Sequence, residues 1–331
     1  MRNLVLVLFL VVAGVCHSQV VSQQNAFRNG DRLAEKLIGL PQQTGSGSNM
    51  LWDISGQSLL DDDYIVEYNY APDTTEVVTG VTEQDARYFY ELQGDSLLLN
   101  GFENRLTKME YDLREVYLRF PMIYGDSIEG LFHGTGRYCD RLGLRSFGCF
   151  KTKADELGDL VVAEGDTLHQ VLKLHTERIM ATEQMPIEML DSLPVYTPDS
   201  IIDNLVNNIS LIRMDICRWY VEGYRYPIIE SRMRYDGDSE QPVSAKIYYC
   251  PPQEQATLTN DPENEQVRTR GSAESGHNYP QAKEMSQEPA TTILYGIDGR
   301  EDTHQTHRKG VYIEEQHRGS TKTARKITVK K

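Results

Sequence analysis

Only one stretch of this 331-residue sequence stays apolar for long, Leu4 to Val15, and every later apolar run is broken by a polar residue within a few positions. A bilayer-crossing helix needs about 20 such residues, so no transmembrane segment is expected in the mature chain. Basic residues are also short: 34 Lys and Arg against 49 Asp and Glu leave a formal charge of −15. So acidic a surface repels phosphate backbones, which excludes nucleic acid as an expected partner. A phosphate cradle is missing as well. Gly134-Thr135-Gly136 lacks a third glycine, Cys139 standing in its place. Gly143 to Gly148 encloses Ser146 at the wrong spacing for a nucleophile elbow.

Histidine and cysteine are too sparse to announce a metal site. His304 and His307 form the best histidine pair but have no third ligand nearby. His169 and His175 share a strand face with Lys173, the pattern of a wet sheet surface. Asp236 to Glu240 alternates carboxylates around Gly237 but lacks the rest of a calcium loop and reads as a hairpin tip. No cofactor and no metal are expected, and no catalytic residue is assigned.

What is present begins at the N-terminus. Arg2 followed by the apolar run has the dimensions of a signal peptide, with cleavage expected between Ser18 and Gln19; the alternative is lipidation at Cys16. Removing residues 1–18 takes away Arg2 and no acid, so −15 becomes −16. Four cysteines remain, Cys139, Cys149, Cys217 and Cys250, and export permits two disulfides in any of three pairings, or free thiols. Cys139 with Cys149 is the first pair to consider, since both lie in one Gly-rich stretch.

Nineteen tyrosines and few helical apolar stripes favour β structure. Tyr64, Val66, Tyr68 and Tyr70 alternate along one face of a strand, and further strands are expected at Val116–Phe120, Leu160–Ala163, Leu168–Leu174 and Ala245–Cys250. Asp199–Asn207 is the one expected short helix, and Trp52 an expected core anchor. The predicted fold is mainly β: an antiparallel β-sandwich-like body over residues 19–250, a disordered linker over 251–290 with little to bury, and a small β module over 291–331.

Three Gly-Asp-Ser/Thr-aliphatic repeats begin at Gly94, Gly125 and Gly165, and hairpin tips entering strands explain them. They also resemble the acceptor sequence of a general bacterial O-glycosylation system, which would make Ser96, Ser127, Thr167, Ser192 and Ser200 acceptors. One aromatic cluster, Trp219, Tyr220, Tyr224 and Tyr226 with Arg218 and Arg225 interleaved, is a candidate face for a glycan or protein ligand; a core strand with Arg caps is the other reading.

The C-terminus carries a resemblance. Gly299-Arg300, then Lys309-Gly310-Val311-Tyr312-Ile313, then Lys326-Ile327-Thr328-Val329-Lys330 follow the order found in the second half of a type IX C-terminal sorting domain. The match spans about the last forty residues, without the domain's earlier strands. Gly45 to Ser55, Trp219 to Pro227 and Tyr248 to Pro252 resemble uncharacterised exported proteins with this tail. The resemblance implies the type IX secretion machinery as a partner and a cell-surface or extracellular address, periplasmic if the tail is inactive. A surface binding or structural protein is the expected function; the alternative is a secreted hydrolase acting on glycans or peptides.

Overall fold

The computed structural model of the chain divides into two compact units, residues 1–271 and 272–331. It describes residues 20–71, 78–163, 165–194, 196–208, 210–237, 239–256 and 258 of the first, and 291–296, 310–318 and 321–329 of the second.

The first unit starts with β1 (Val20–Val21), β2 (Arg32–Ile38), β3 (Gln42–Ser46), β4 (Asn49–Asp53), β5 (Leu59–Tyr70) and β6 (Val78–Glu83). It continues with β7 (Ala86–Gln93), β8 (Ser96–Asn104), β9 (Thr107–Arg119), β10 (Met122–Ile123), β11 (Ser127–Tyr138), β12 (Leu142–Val161) and β13 (Thr167–Pro186). Then come α1 (Pro198–Asn207), β14 (Ile212–Tyr220), β15 (Ile229–Asp236), β16 (Ser244–Tyr249) and α2 (Pro252–Ala256).

Twelve of these strands close on themselves, in the order β11-β9-β8-β7-β6-β5-β2-β16-β15-β14-β13-β12 and back to β11, every pairing antiparallel. The body is therefore a closed barrel and not the expected sandwich. Alternation along a strand reveals two faces but not whether the first and last strands meet, and here the β11–β12 register of twelve residue pairs joins them. The strands expected at Leu160–Ala163 and Leu168–Leu174 are the ends of β12 and β13, each twenty residues long and paired to each other.

Outside this wall, β4 adds to β12 in parallel and β3 to β4, so that Trp52 and Ile54 cover the outward side chains of Trp219, Ile229, Ile247 and Tyr249. Trp52 is fully buried there, as a core anchor should be. Farther along the wall, α1 lays Ile201 on Phe147 and Ala181. Thr197 and Ser200 close the helix with a reciprocal capping box. The uncovered outer wall carries charged pairs such as Arg32–Glu67 at 3.3 Å and Lys151–Glu129 at 2.8 Å, where a lipid-facing barrel has an apolar band. Among the described residues no helix is long and apolar enough to cross a membrane.

The second unit contains β17 (Thr291–Gly296), β18 (Gly310–Arg318) and β19 (Thr321–Val329) in one antiparallel sheet of that order. Gly310 stands opposite Val329, Tyr312 opposite Ile327, and Lys326 opposite Ile313. Gly299, Arg300 and Lys330 lie outside the described residues, as do His304, His307 and the expected cleavage between Ser18 and Gln19.

Candidate functional site

One end of the barrel is plugged from within by the chain that precedes β2. Ser22 and Asn25 hold a single 3-10 turn through a capping box, and Asn25 Nδ2 donates to the carbonyls of Tyr224 and Arg225 at 3.0 Å each. That turn places Phe27 inside the wall, with ring centroids 5.2 Å from Tyr68, 4.9 Å from Tyr90, 5.3 Å from Tyr117 and 6.1 Å from Tyr226. Tyr226 locks the arrangement: its hydroxyl donates to Asp31 Oδ2 at 2.9 Å, while its backbone exchanges two hydrogen bonds with the Gln255 side chain. Gln255 belongs to α2, so the body continues into the stretch expected as linker.

Above the plug the interior is crossed by charge. Arg178, Arg218 and Arg232 project inward from β13, β14 and β15, and each reaches a strand that is not its neighbour, β9 for the first two and β6 for Arg232. Arg178 Nε donates to Glu115 of β9 at 2.7 Å, with its guanidinium 4.2 Å from the Phe132 ring. Arg218 lies 4.1 Å over the Tyr117 ring and donates to Glu230 at 2.8 Å. Arg232 grips Glu83 of β6 with both terminal nitrogens, at 2.6 and 2.9 Å, and also donates to Glu230. Tyr64 donates to the same Glu83 at 3.1 Å. A buried ion pair is tolerable only when desolvation is offset by such multiple bonds.

Proton affinities diverge sharply here. Burial pushes Glu230 upward, but Arg232 and Arg218 outweigh it and hold the carboxyl at about 2. Glu35, inward on β2 opposite Tyr64, has no arginine of its own; burial and the repulsion of Glu83 and Glu230 push it up to about 8. Burial also drives Tyr68, Tyr90, Tyr117 and Tyr226 well above the ordinary phenol value. The packing is incomplete. Inward-facing Glu35, Tyr117 and Arg232, and Phe27 of the plug, are only half-buried, so the interior retains surface that water reaches.

The candidate aromatic face is placed differently from a binding surface. Trp219 packs outward under β4, 6.1 Å from Trp52, while Tyr220 and Tyr226 point into the barrel, and all three are buried. Tyr224 is half-buried against the Trp52 cluster. The core reading holds for this segment, and Arg218 is its internal cap. Arg178, Arg232 and Glu35 were not legible as a site, because an inward charge on a strand looks like an outward one until the register is known.

Cys139 and Cys149 do not pair. Cys139 sits in the tight β11–β12 turn, whereas Cys149 lies seven residues beyond Leu142 on β12, roughly 20 Å away at strand rise and far beyond disulfide reach. All four cysteines are free thiols. The Gly-Asp repeats do form turns, with Gly94, Gly125 and Gly165 at φ of +62°, +96° and +86°. They lead Ser96, Ser127 and Thr167 into β8, β11 and β13. Ser127, Thr167 and Ser192 are exposed, Ser96 is half-buried, and the Ser200 hydroxyl is engaged in the α1 cap.

Among the described residues, no group of three or more His, Cys, Asp or Glu side chains forms a metal cluster. His169 pairs with Asp159 at 3.2 Å on the exposed wall. The tightest His–acid pair is one the sequence did not single out. His133 Nδ1 lies 2.6 Å from Asp112, its ring stacks on Tyr196 at 4.7 Å, and its buried Nε2 has no hydrogen-bond partner among the described residues. No hydroxyl or thiol of the described residues reaches that nitrogen, so among them the pair has no nucleophile.

No family model, no curated protein and no solved structure matches the chain.

Proposed function

We propose that the chain is an exported binding protein whose site is the interior of the barrel. The observation that carries this reading is a barrel plugged at one end, lined with tyrosines and cross-braced arginines, whose inward faces are not fully packed. Cross-lumen ion pairs hold opposite walls at a set distance, which suits a preformed site. The N-terminal apolar segment is taken as a signal peptide, and the C-terminal module as a type IX sorting tail that delivers the barrel to the cell surface or medium.

A thermal-shift and NMR screen of the mature chain against small amphipathic compounds, glycans and peptides tests the reading, run beside a generic hydrolase panel. Saturable binding that broadens signals from Phe27 and the interior tyrosines is expected. Deleting residues 291–331 is expected to leave barrel stability unchanged and to alter where the protein accumulates in a host with type IX machinery.

A second reading, a hydrolase, is favoured by one observation: two neighbouring carboxyls driven apart, Glu35 up and Glu230 down, resemble an acid and its ionised partner. Yet both Glu230 oxygens already accept from arginines, which blunts it as a nucleophile or base. Turnover abolished by Glu35→Gln or Glu230→Gln would establish the hydrolase and refute the binding protein.

A further inference from the structure

We propose that the barrel interior binds an organic cation, a primary or quaternary ammonium group, with the Glu35 carboxylate as its anchor. This deepens the binding-protein reading and rests on it.

On the strands, Arg178, Arg218 and Arg232 face inward with the carboxyls Glu115, Glu83, Glu230 and Glu35, while in the plug Arg28 pairs with Asp31. Arg178 is matched by Glu115, and Arg218 and Arg232 by Glu230 and Glu83. Glu35 is the fourth, and among the described residues it has neither ion pair nor hydrogen bond. Its position is not peripheral. On the inner face of β2 it stands opposite Tyr64 of β5, in the field of Glu83 from β6 and of Glu230 and Arg232 from β15. It also acts on the Tyr68 hydroxyl of β5 and on the Cys250 thiol that follows β16.

The neighbouring surfaces suit a cation. Tyr68, on which Glu35 acts, belongs to the ring cluster around Phe27, and an aromatic face attracts an ammonium group through its quadrupole. The same interior holds a second unpaired polar group. The Tyr220 hydroxyl, 1% exposed, lies on the interior wall near Arg218 and Glu230 and has no hydrogen-bond partner among the described residues. A buried orphan of this kind is costly unless something fills its place. An anion is a poorer occupant, because the interior arginines already bind carboxylates.

Glu35 is held up to about 8 without a partner, so at neutral pH it is mostly protonated. An arriving ammonium group favours the carboxylate, and the proton passes to solvent. Affinity for a cation therefore rises with pH, close to tenfold per pH unit well below about 8, and levels off above it. An uncharged ligand shows no such slope.

Isothermal titration of the full mature chain with choline, n-butylammonium and their uncharged carbon isosteres tests this, in two buffers of different ionisation enthalpy. The expected result is binding of the cations with proton release, an affinity gain of at least tenfold between about pH 6 and pH 8, and loss of both in Glu35→Gln. That variant mimics the protonated acid, and its thermal unfolding shows that it folds. Equal binding of the isosteres, or cation binding unchanged in Glu35→Gln, overturns the cation site and leaves the barrel a binding protein of another specificity. Silence from cations, isosteres and a broad neutral fragment set overturns both readings.

Discussion

Replacing Glu35 by glutamine should stabilise the barrel, and do so only at neutral and alkaline pH. The folded state moves this carboxyl from an ordinary 4.5 to about 8. Below 4.5 both the folded and unfolded chains hold the proton, and the group contributes nothing. As pH rises above 4.5 the unfolded chain releases its proton while the folded chain keeps it, so stability falls until about pH 8, where both are ionised. At roughly 1.4 kcal/mol per pH unit the full span amounts to ~5 kcal/mol. Glu35 is only half-buried, so about 2–3 kcal/mol of this is the working figure. Glutamine keeps the shape and cannot ionise, so the penalty disappears. For a domain of this size the gain corresponds to roughly 5–10 °C in Tm at pH 8 and to almost nothing at pH 4.5. Circular-dichroism melts of both proteins from pH 4 to pH 9 measure it directly. A variant that gains the same at every pH, or one that is less stable at pH 8, would refute the account of Glu35 as an unpaired buried acid.

Glu230 has the opposite sign. Held at about 2, it contributes stability above its ordinary 4.5 that is lost as pH falls towards 2, so Glu230→Gln should cost about 3 kcal/mol at pH 7 and flatten the acid limb of the melting profile. An unchanged acid limb would count against the Arg218–Glu230–Arg232 bridge. Phe27→Ala should destabilise the plug by roughly 2–3 kcal/mol, less than a full core deletion because the ring is half-buried, with faster exchange of the Gly30 amide that donates to Tyr68. Urea titration and hydrogen exchange report it, and an unaffected Gly30 would place Phe27 outside the barrel. Maleimide at neutral pH should modify Cys139 first, since Cys149, Cys217 and Cys250 are more buried and burial pushes their thiols upward. A mass shift of two hydrogens on reduction would instead reveal a disulfide.

Much of the local structure follows from the residues alone. Alternation of Tyr64, Val66, Tyr68 and Tyr70 dictates a half-buried strand because side chains in extended chain repeat every two residues; the first three are buried in β5, while Tyr70 at its end is exposed. Gly94-Asp95, Gly125-Asp126 and Gly165-Asp166 dictate turns because glycine takes positive φ without strain. Thr197-Pro198 with Ser200 dictates where α1 begins. Tertiary structure decided the rest. Whether a set of antiparallel strands packs as two layers or closes into a ring depends on pairing between β11 and β12 and between β2 and β16, about which neither strand's own alternation carries information. Closure then decides what each polar residue means. Arg178, Arg232 and Glu35 resemble surface charges in the sequence; the register turns them inward, and their chemistry follows from the removal of water and from which walls face each other.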